Sequence, residues 1–219
     1  MVVSNWSEID LNHIKGILLD LDNTLYEYDP PHHAAYDHCK TIALKEFNIE
    51  HSAFDSAWKT ARNKVHEDLH GQGASHSRLL YFQKQYEALF EFTNADYALQ
   101  MESHYWSVFM DHLEWRAGAK TFLENAKKLG LKVCIVTDLT ASIQLKKWNK
   151  MELNQYVQYL VSSEESGIEK PGKYIFELAL EKLKLKAENV IMIGDNEKKD
   201  ILGAEAIGIK SYLITETTV

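Results

Sequence analysis

Three short runs of the chain are almost entirely apolar and contain many β-branched residues. They span residues 14–19, 131–136 and 190–193, and they show little alternation between apolar and polar positions. Such runs are typical of strands that are buried on both faces, as in a parallel sheet. Residues 157–161 and 209–214 are weaker candidates, so the pattern predicts five strands.

Amphipathic stretches with helical spacing alternate with these strands from about residue 118 onward. They cover residues 119–129, 141–150, 173–183 and 198–207. Because strand and helix alternate, right-handed βαβ crossovers and a doubly wound sheet are the expected architecture. We therefore predict an α/β fold with a Rossmann-like parallel-sheet core.

The segment between the first strand and these elements does not show the alternation of strands and helices. It contains no convincing strand, and residues 52–70, 77–92 and 95–113 have apolar and aromatic positions at helical spacing. We therefore predict an all-helical insertion at residues 28–115. The core is then discontinuous and consists of residues 1–27 and 116–219.

The composition is that of an ordinary globular protein, with 45% hydrophobic and 26% charged residues. A formal net charge of -8 argues against nucleic acid as a partner, because binding to phosphate backbones requires an excess of Lys and Arg. No run reaches about 18 apolar residues, and no secretory signal pattern opens the sequence. We expect a cytoplasmic protein with no membrane partner.

Each of the three strong strands is followed at once by polar residues. Asp20 and Asp22 follow the first, Thr137 and Asp138 the second, and Asp195 the third. The carboxyl ends of parallel strands line one crevice, so these side chains are expected to converge on one site. An acidic pair alone is weak support, because such pairs also form turns and caps.

Four elements, taken in order, resemble the four motifs of the haloacid-dehalogenase-like hydrolases. Residues 20–25 (DLDNTL) resemble motif one and Thr137 resembles motif two. Lys170, within residues 167–171 (GIEKP), resembles motif three, and residues 194–200 (GDNEKKD) resemble motif four. The resemblance covers the core, and it implies a phosphatase whose helical insertion is a cap that shapes the substrate pocket.

The resemblance implies a catalytic role for four residues. Asp20 is the nucleophile that takes the phosphoryl group, and Asp22 is the acid for the leaving group and then the base for water. Thr137 and Lys170 are expected to hold a phosphoryl oxygen. Dehalogenases of this superfamily lack the second Asp of motif one, so halide displacement is disfavoured.

A magnesium ion is the expected cofactor. Two carboxylates and a dianionic substrate repel one another without a cation, and Mg²⁺ prefers hard oxygen ligands. The ligands implied by the resemblance are Asp20, the backbone carbonyl of Asp22, and Asp195. Asp200 is expected to lie behind them.

Motif two departs from the pattern of many relatives, in which Asn-Gly follows the Ser or Thr. Here residues 137–140 read TDLT. Asp138 is expected to contact the substrate, and its carboxylate would weaken phosphate binding if it pointed into the site. The loss of Gly also constrains the turn.

Arg78 is the predicted substrate contact from the insertion. It ends the polar run of residues 71–78 (GQGASHSR), which interrupts the helical pattern, and a guanidinium can hold an anionic substrate. The alternative is an exposed arginine that follows a helix cap.

Residues 66–70 (HEDLH) match a zinc-protease pattern, in which two His lie on one helix face. Gly71 breaks the helix at once and no third ligand motif follows, so this function is disfavoured. The sequence thus predicts hydrolysis of a small phosphorylated metabolite, a nucleotide or sugar phosphate. A phosphomutase and a regulatory binding protein on this fold are the alternatives.

Overall fold

A computed structural model describes residues 1–215, and it divides into two compact units. One unit combines Met1–Glu27 with the chain from Glu114 onward, and the other is Tyr28–Leu113. The insertion thus ends two residues before the predicted boundary at 115. The physical reason is local, because the backbone N–H of Arg116 donates to the carbonyl of Leu25 at 2.8 Å and holds this return segment in the first unit.

The Tyr28–Leu113 unit is built from four helices. Helix α2 packs against α3, and α4 packs against both α1 and α3. The Oγ of Ser77 accepts a hydrogen bond from the N–H of Leu80 and so caps α3. The four helices are α1 (Asp29–Phe47), α2 (His51–Asp68), α3 (Arg78–Phe90) and α4 (Ala95–Asp111).

Helix α1 was not among the predicted helices. It buries one small residue per turn, and two prolines stand at its start, where a missing N–H costs nothing. A row of small residues lacks the large apolar side chains that mark an amphipathic helix in a sequence. The buried residues of this row are Pro31, Ala35, Cys39 and Ala43.

The zinc-protease pattern does not form a zinc site. Helix α2 ends at Asp68, so His66 and His70 do not lie on one helix face. His66 instead shares a hydrogen bond with the hydroxyl of Tyr81, at 2.7 Å. The single cluster with metal-ligand geometry in residues 1–215 lies elsewhere.

A six-stranded, fully parallel sheet forms the centre of the first unit, in the order β1-β6-β5-β2-β3-β4. The predicted parallel α/β core is confirmed. Strand β1 was missed because two residues are too few to show a pattern. The strands are β1 (Val2–Val3), β2 (Gly16–Leu19), β3 (Lys132–Thr137), β4 (Tyr159–Ser162), β5 (Val190–Gly194) and β6 (Lys210–Ile214).

Helices connect the strands in the predicted alternation. Helix α8 packs against β3 and β4, and its Ile175, Phe176 and Leu183 are fully buried in the core beside Leu18 and Met192. No helix within residues 1–215 combines the length and the apolar character needed to cross a bilayer. The helices of this unit are α5 (Ala119–Lys128), α6 (Ala141–Lys150), α7 (Ser163–Ser166), α8 (Lys173–Leu183) and α9 (Gly203–Glu205). A π-helical turn at Glu197–Leu202 leads directly into α9.

Candidate active site

The three central strands of the sheet deliver acidic and polar residues to the same edge. Asp20 follows β2, Thr137 ends β3 and Asp195 follows β5, and these strands are neighbours. Carboxylate oxygens of Asp20, Asp195 and Asp200 lie within 4.8 Å of one another. The structure therefore brings together the acidic residues that the sequence motifs single out.

Lys170 is the cation at the centre of this group, and its side chain is only 3% exposed. Its Nζ donates to Asp20 Oδ1 at 2.5 Å, to Asp200 Oδ1 at 2.7 Å and to the carbonyl of Val136 at 3.1 Å. Burial disfavours its positive charge, but the attraction of Asp20 and Asp200 outweighs this and holds the pKa of Lys170 well above its usual value. Lys170 therefore stays charged.

The carboxylates are crowded despite this cation. Burial raises the pKa of Asp20 well above its usual value, and repulsion from Asp200 and Asp195 adds to the rise while Lys170 opposes it. Burial and repulsion from Asp200 also raise the pKa of Asp195. Three carboxylates face one ammonium, so the fully ionised group has an excess of two negative charges. A divalent cation with hard oxygen ligands would balance this excess, and the cluster fits Mg²⁺ in that respect.

Two smaller residues shape the carboxylate group. The fully buried Thr24 hydroxyl lies 2.9 Å from Asp20 Oδ2 and 3.3 Å from Asp195 Oδ1, and so bridges the two acids. A Cβ on Gly194 would overlap the carboxylate of Asp200. Asp200 uses the space that this glycine leaves, and its Oδ2 accepts the N–H of Asn196 at 3.0 Å. Thr24 is not among the predicted site residues. Its place inside motif one, four residues after Asp20, is the sequence signal for its role.

Asp22 lies beside this group with a separate set of partners. Its Oδ1 accepts from Lys147 Nζ at 2.6 Å and from the hydroxyl of Tyr26, and its Oδ2 accepts from Gln144 Nε2 at 3.2 Å. Burial disfavours its charge, but Lys147 and the hydrogen bonds outweigh this and lower the pKa of Asp22. Asp22 is therefore ionised at rest.

Gln144 and Lys147 are not among the predicted site residues, although the sequence contains a signal for both. The buried positions of α6 are 143, 144, 147 and 148, which is the inward face of a helix. Two of these four positions carry a Gln and a Lys. Long polar side chains on an inward face need a buried partner, and here that partner is Asp22.

In motif two, the departure at Asp138 is compensated within the structure. One oxygen of Asp138 accepts from Lys199 Nζ at 2.7 Å, and the other accepts the backbone N–H of Lys170 at 3.0 Å. Leu139 takes the glycine position with a φ of 88°, a region that L residues rarely adopt. Its N–H donates to Ser163 Oγ at 2.9 Å, which helps to hold this turn.

Lys199→Met is expected to raise the KM for a phosphomonoester about tenfold, or about 1.4 kcal/mol, because it exposes an anionic substrate to the unpaired Asp138 carboxylate. Asp138→Asn in the same chain should restore the KM, since it removes that charge. Steady-state kinetics with inorganic phosphate as a competitive inhibitor measure both effects. Lys198→Met, at the exposed neighbouring position, is the matched control. If the double variant binds the phosphomonoester as weakly as Lys199→Met does, Lys199 does not act by neutralising Asp138.

Arg78 lies in the Tyr28–Leu113 unit, where its side chain is buried. Its Nη1 donates to the carbonyl of His76 at 2.6 Å and its Nη2 to the hydroxyl of Tyr28, while its Nε has no partner. Its guanidinium carbon stands 5.1–5.5 Å from the ring centroids of Tyr81, Tyr105 and Trp106. The alternative of an exposed arginine is therefore wrong, and the substrate contact stays a prediction.

A family model for haloacid dehalogenase-like hydrolases matches residues 14–208. The chain belongs to this family. It is 35% identical over 203 residues to a ribulose-1,5-bisphosphate 5-phosphatase from Halopiger xanaduensis. This match covers 90% of this chain and 83% of that protein. It is 27% identical over 201 residues to a glyceraldehyde 3-phosphate phosphatase from Methanocaldococcus jannaschii, with 90% and 82% covered. The family and these relatives identify the chain as a phosphoric monoester hydrolase.

A solved structure supports the fold. The crystal structure of a phosphatase of this family from Thermococcus onnurineus matches with a TM-score of 0.71. The two chains are 19% identical, and the match covers 94% of this chain and 88% of that one. The likeness extends over nearly the whole chain.

Proposed function

We propose that the protein hydrolyses a small phosphorylated sugar with the help of Mg²⁺, through a covalent aspartyl phosphate on Asp20. The observation that carries this proposal is the buried contact of Asp20 with Lys170, at 2.5 Å, inside a group of carboxylates at the ends of parallel strands. A carboxylate fixed in this way is a suitable nucleophile for phosphorus. The names of the two relatives give a sugar bisphosphate and a triose phosphate as their substrates, and this favours a sugar phosphate over a nucleotide as the substrate here.

In the first step, the Asp20 carboxylate attacks the phosphorus. The bond from phosphorus to the sugar oxygen breaks, and its electron pair remains on that oxygen. Asp22 gives this oxygen a proton, so the products are a neutral alcohol and the aspartyl phosphate. Asp22 is ionised at rest, and the negative phosphoryl group of a bound substrate would favour its protonated form.

In the second step, water attacks the phosphorus of the aspartyl phosphate. Asp22, now a carboxylate, takes a proton from this water, and the bond from phosphorus to Asp20 breaks. Inorganic phosphate leaves and the Asp20 carboxylate is restored. One residue thus works first as acid and then as base.

Lys170 and Thr137 would stabilise the phosphoryl oxygens during both steps. The Lys170 ammonium is charged and fixed, and a preorganised donor of this kind is effective where water is excluded. Thr137 is 1% exposed and lies at the end of β3, where its hydroxyl accepts from Gln144 Nε2 at 2.6 Å. Asp138, bound by Lys199, would shape this edge of the substrate site.

Asp20, Asp195 and the backbone carbonyl of Asp22 would hold the Mg²⁺. The bound ion would supply positive charge for the carboxylates and the phosphoryl oxygens. The crowding of Asp20 and Asp195 supports this assignment, because burial and repulsion from Asp200 raise the pKa of both carboxylates and a bound cation would oppose that rise.

Arg78 would contribute a positive charge to the recognition of a substrate anion. No carboxylate pairs with its buried guanidinium in residues 1–215. Aromatic rings and two hydrogen bonds offset part of the cost of burying this cation, and an anionic group of the substrate would add the charge partner that it lacks. Such a group could be the second phosphate of a sugar bisphosphate.

Phosphate release from ribulose 1,5-bisphosphate, glyceraldehyde 3-phosphate and AMP, each with Mg²⁺ and with EDTA, tests the proposal. We expect kcat/KM for one of the sugar phosphates to exceed that for AMP by at least about 100-fold, and EDTA to remove the activity. A bisphosphate preference that is lost in Arg78→Lys would support the arginine contact. Preference for AMP, or activity that persists in EDTA, would overturn the substrate class or the metal, respectively.

A further inference from the structure

Two polar residues on the inward face of α6 are completely buried. Gln144 and Lys147 both have 0% exposure, and three positions separate them, so they lie on the same side of the helix. A buried ammonium is costly unless an anion pairs with it. An apolar residue at either position would pack without this cost, so the two polar side chains have a role beyond packing.

The pair holds Asp22 at both carboxylate oxygens. Lys147 Nζ donates to Oδ1 at 2.6 Å, and Gln144 Nε2 donates to Oδ2 at 3.2 Å. The Lys147 ammonium also lies 5.7 Å from the ring centroid of Tyr26, whose hydroxyl donates to Asp22 Oδ1. A carboxylate held at both oxygens by different donors has a fixed orientation.

Gln144 also joins Asp22 to motif two. Its Nε2 lies 2.6 Å from Thr137 Oγ1 and 2.6 Å from the carbonyl of Asp138. With the amide reversed, its oxygen would face this carbonyl and the Asp22 carboxylate, so the acceptors determine the amide orientation. Because Gln144 donates to Thr137 Oγ1, the Thr137 hydroxyl must donate its own proton elsewhere, and it points to the carbonyl of Asp138 at 3.3 Å. This long contact is one that a phosphoryl oxygen could replace.

We propose that Gln144 and Lys147 form a positioning pair that aims Asp22 at the leaving oxygen of the substrate and aims the Thr137 hydroxyl at a phosphoryl oxygen. This inference rests on the proposed function, in which Asp22 is the acid and base. Displacement of an acid or base by about 1 Å can lower a rate about 100-fold, so such positioning has a large kinetic effect.

The test compares an alkyl phosphate with p-nitrophenyl phosphate in the Lys147→Met variant. An alkoxide needs a proton to leave, whereas p-nitrophenolate leaves without one, so only the alkyl ester depends on a well-aimed acid. We expect kcat/KM to fall about 100-fold for the alkyl ester and less than about fivefold for the aryl ester. The ratio of the two values does not depend on how much of a preparation is folded.

Gln144→Met and Lys146→Met complete the experiment. Gln144→Met changes no charge, and we expect it to lower the alkyl-to-aryl ratio about tenfold even if Lys147→Met does not fold. Lys146, the exposed neighbour on α6, is the matched control and should leave the ratio unchanged. An equal loss for both esters in the variants that fold would mean that the pair has only a structural role.

Asp22→Asn separates this inference from the function on which it rests. If Asp22 is the acid, Asp22→Asn lowers the alkyl-to-aryl ratio at least as much as Lys147→Met does. If Asp22→Asn leaves the ratio unchanged, the assigned role of Asp22 is wrong. A low ratio in Asp22→Asn with an unchanged ratio in both pair variants overturns the positioning pair alone.

Discussion

Asp20→Asn is expected to lower phosphate release by about 10,000-fold or more, as removal of a covalent nucleophile does in other hydrolases. The amide has nearly the same shape as the carboxylate but cannot form the aspartyl phosphate. The activity should be measured with the same sugar phosphate and Mg²⁺ concentration as for the unchanged protein. Asp10→Asn, at an exposed acidic position, is the matched control and should keep full activity.

The same variant should fold at least as stably in the absence of metal. The pKa of Asp20 is raised in the folded protein, so its ionised form lowers stability at neutral pH, and this cost disappears when Asn replaces it. Lys170 is not left without a partner, because it still donates to Asp200 at 2.7 Å. Thermal unfolding followed by circular dichroism in EDTA measures this effect. If the variant is unfolded, this expectation is wrong and a folding defect explains the loss of activity. A folded variant with substantial activity would remove Asp20 as the nucleophile.

Lys170→Met is expected to lower the free energy of unfolding by about 3–5 kcal/mol, because it breaks a buried ion pair and leaves the carboxylates of Asp20 and Asp200 without their cation. It should also lower kcat strongly, since the phosphoryl oxygens lose a fixed positive charge. Urea unfolding in EDTA gives the stability, and phosphate release with Mg²⁺ gives the activity.

Lys182→Met provides the matched control for this stability effect. Lys182 lies in the same unit and pairs with Glu165 at 2.6 Å, but the two side chains are 26% and 39% exposed. A solvent-exposed pair of this kind contributes less than about 1 kcal/mol. Equal stability losses in the two variants would show that Lys170 does not neutralise the buried carboxylates.

The fold was largely predictable because its strongest signals are local. Strands β2, β3 and β5 are buried along almost their whole length, so each stands out as a continuous apolar run. The polar residues that follow them could be placed at one edge from the geometry of parallel sheets alone. In contrast, the two-residue β1 and the small-residue helix α1 produce little periodic signal.

The partners of the candidate site residues were harder to predict than the residues themselves. Lys147 and Asp22 are 125 positions apart in the sequence, and Lys199 and Asp138 are 61 positions apart. Such pairs depend on how a helix is rotated and on side-chain reach, which local patterns do not encode. Arg78 shows the same limit, because a charged residue after a helix cap is normally expected in solvent.

The three acceptors around Lys170 have a consequence for the release of product. Its ammonium has three hydrogens, and Asp20, Asp200 and the Val136 carbonyl engage it at 2.5–3.1 Å. A phosphoryl oxygen that bonds to this ammonium must therefore displace or share an existing acceptor. Under the proposed function, the phosphoryl group of the substrate and the inorganic phosphate product would both compete with the protein's own groups for this lysine.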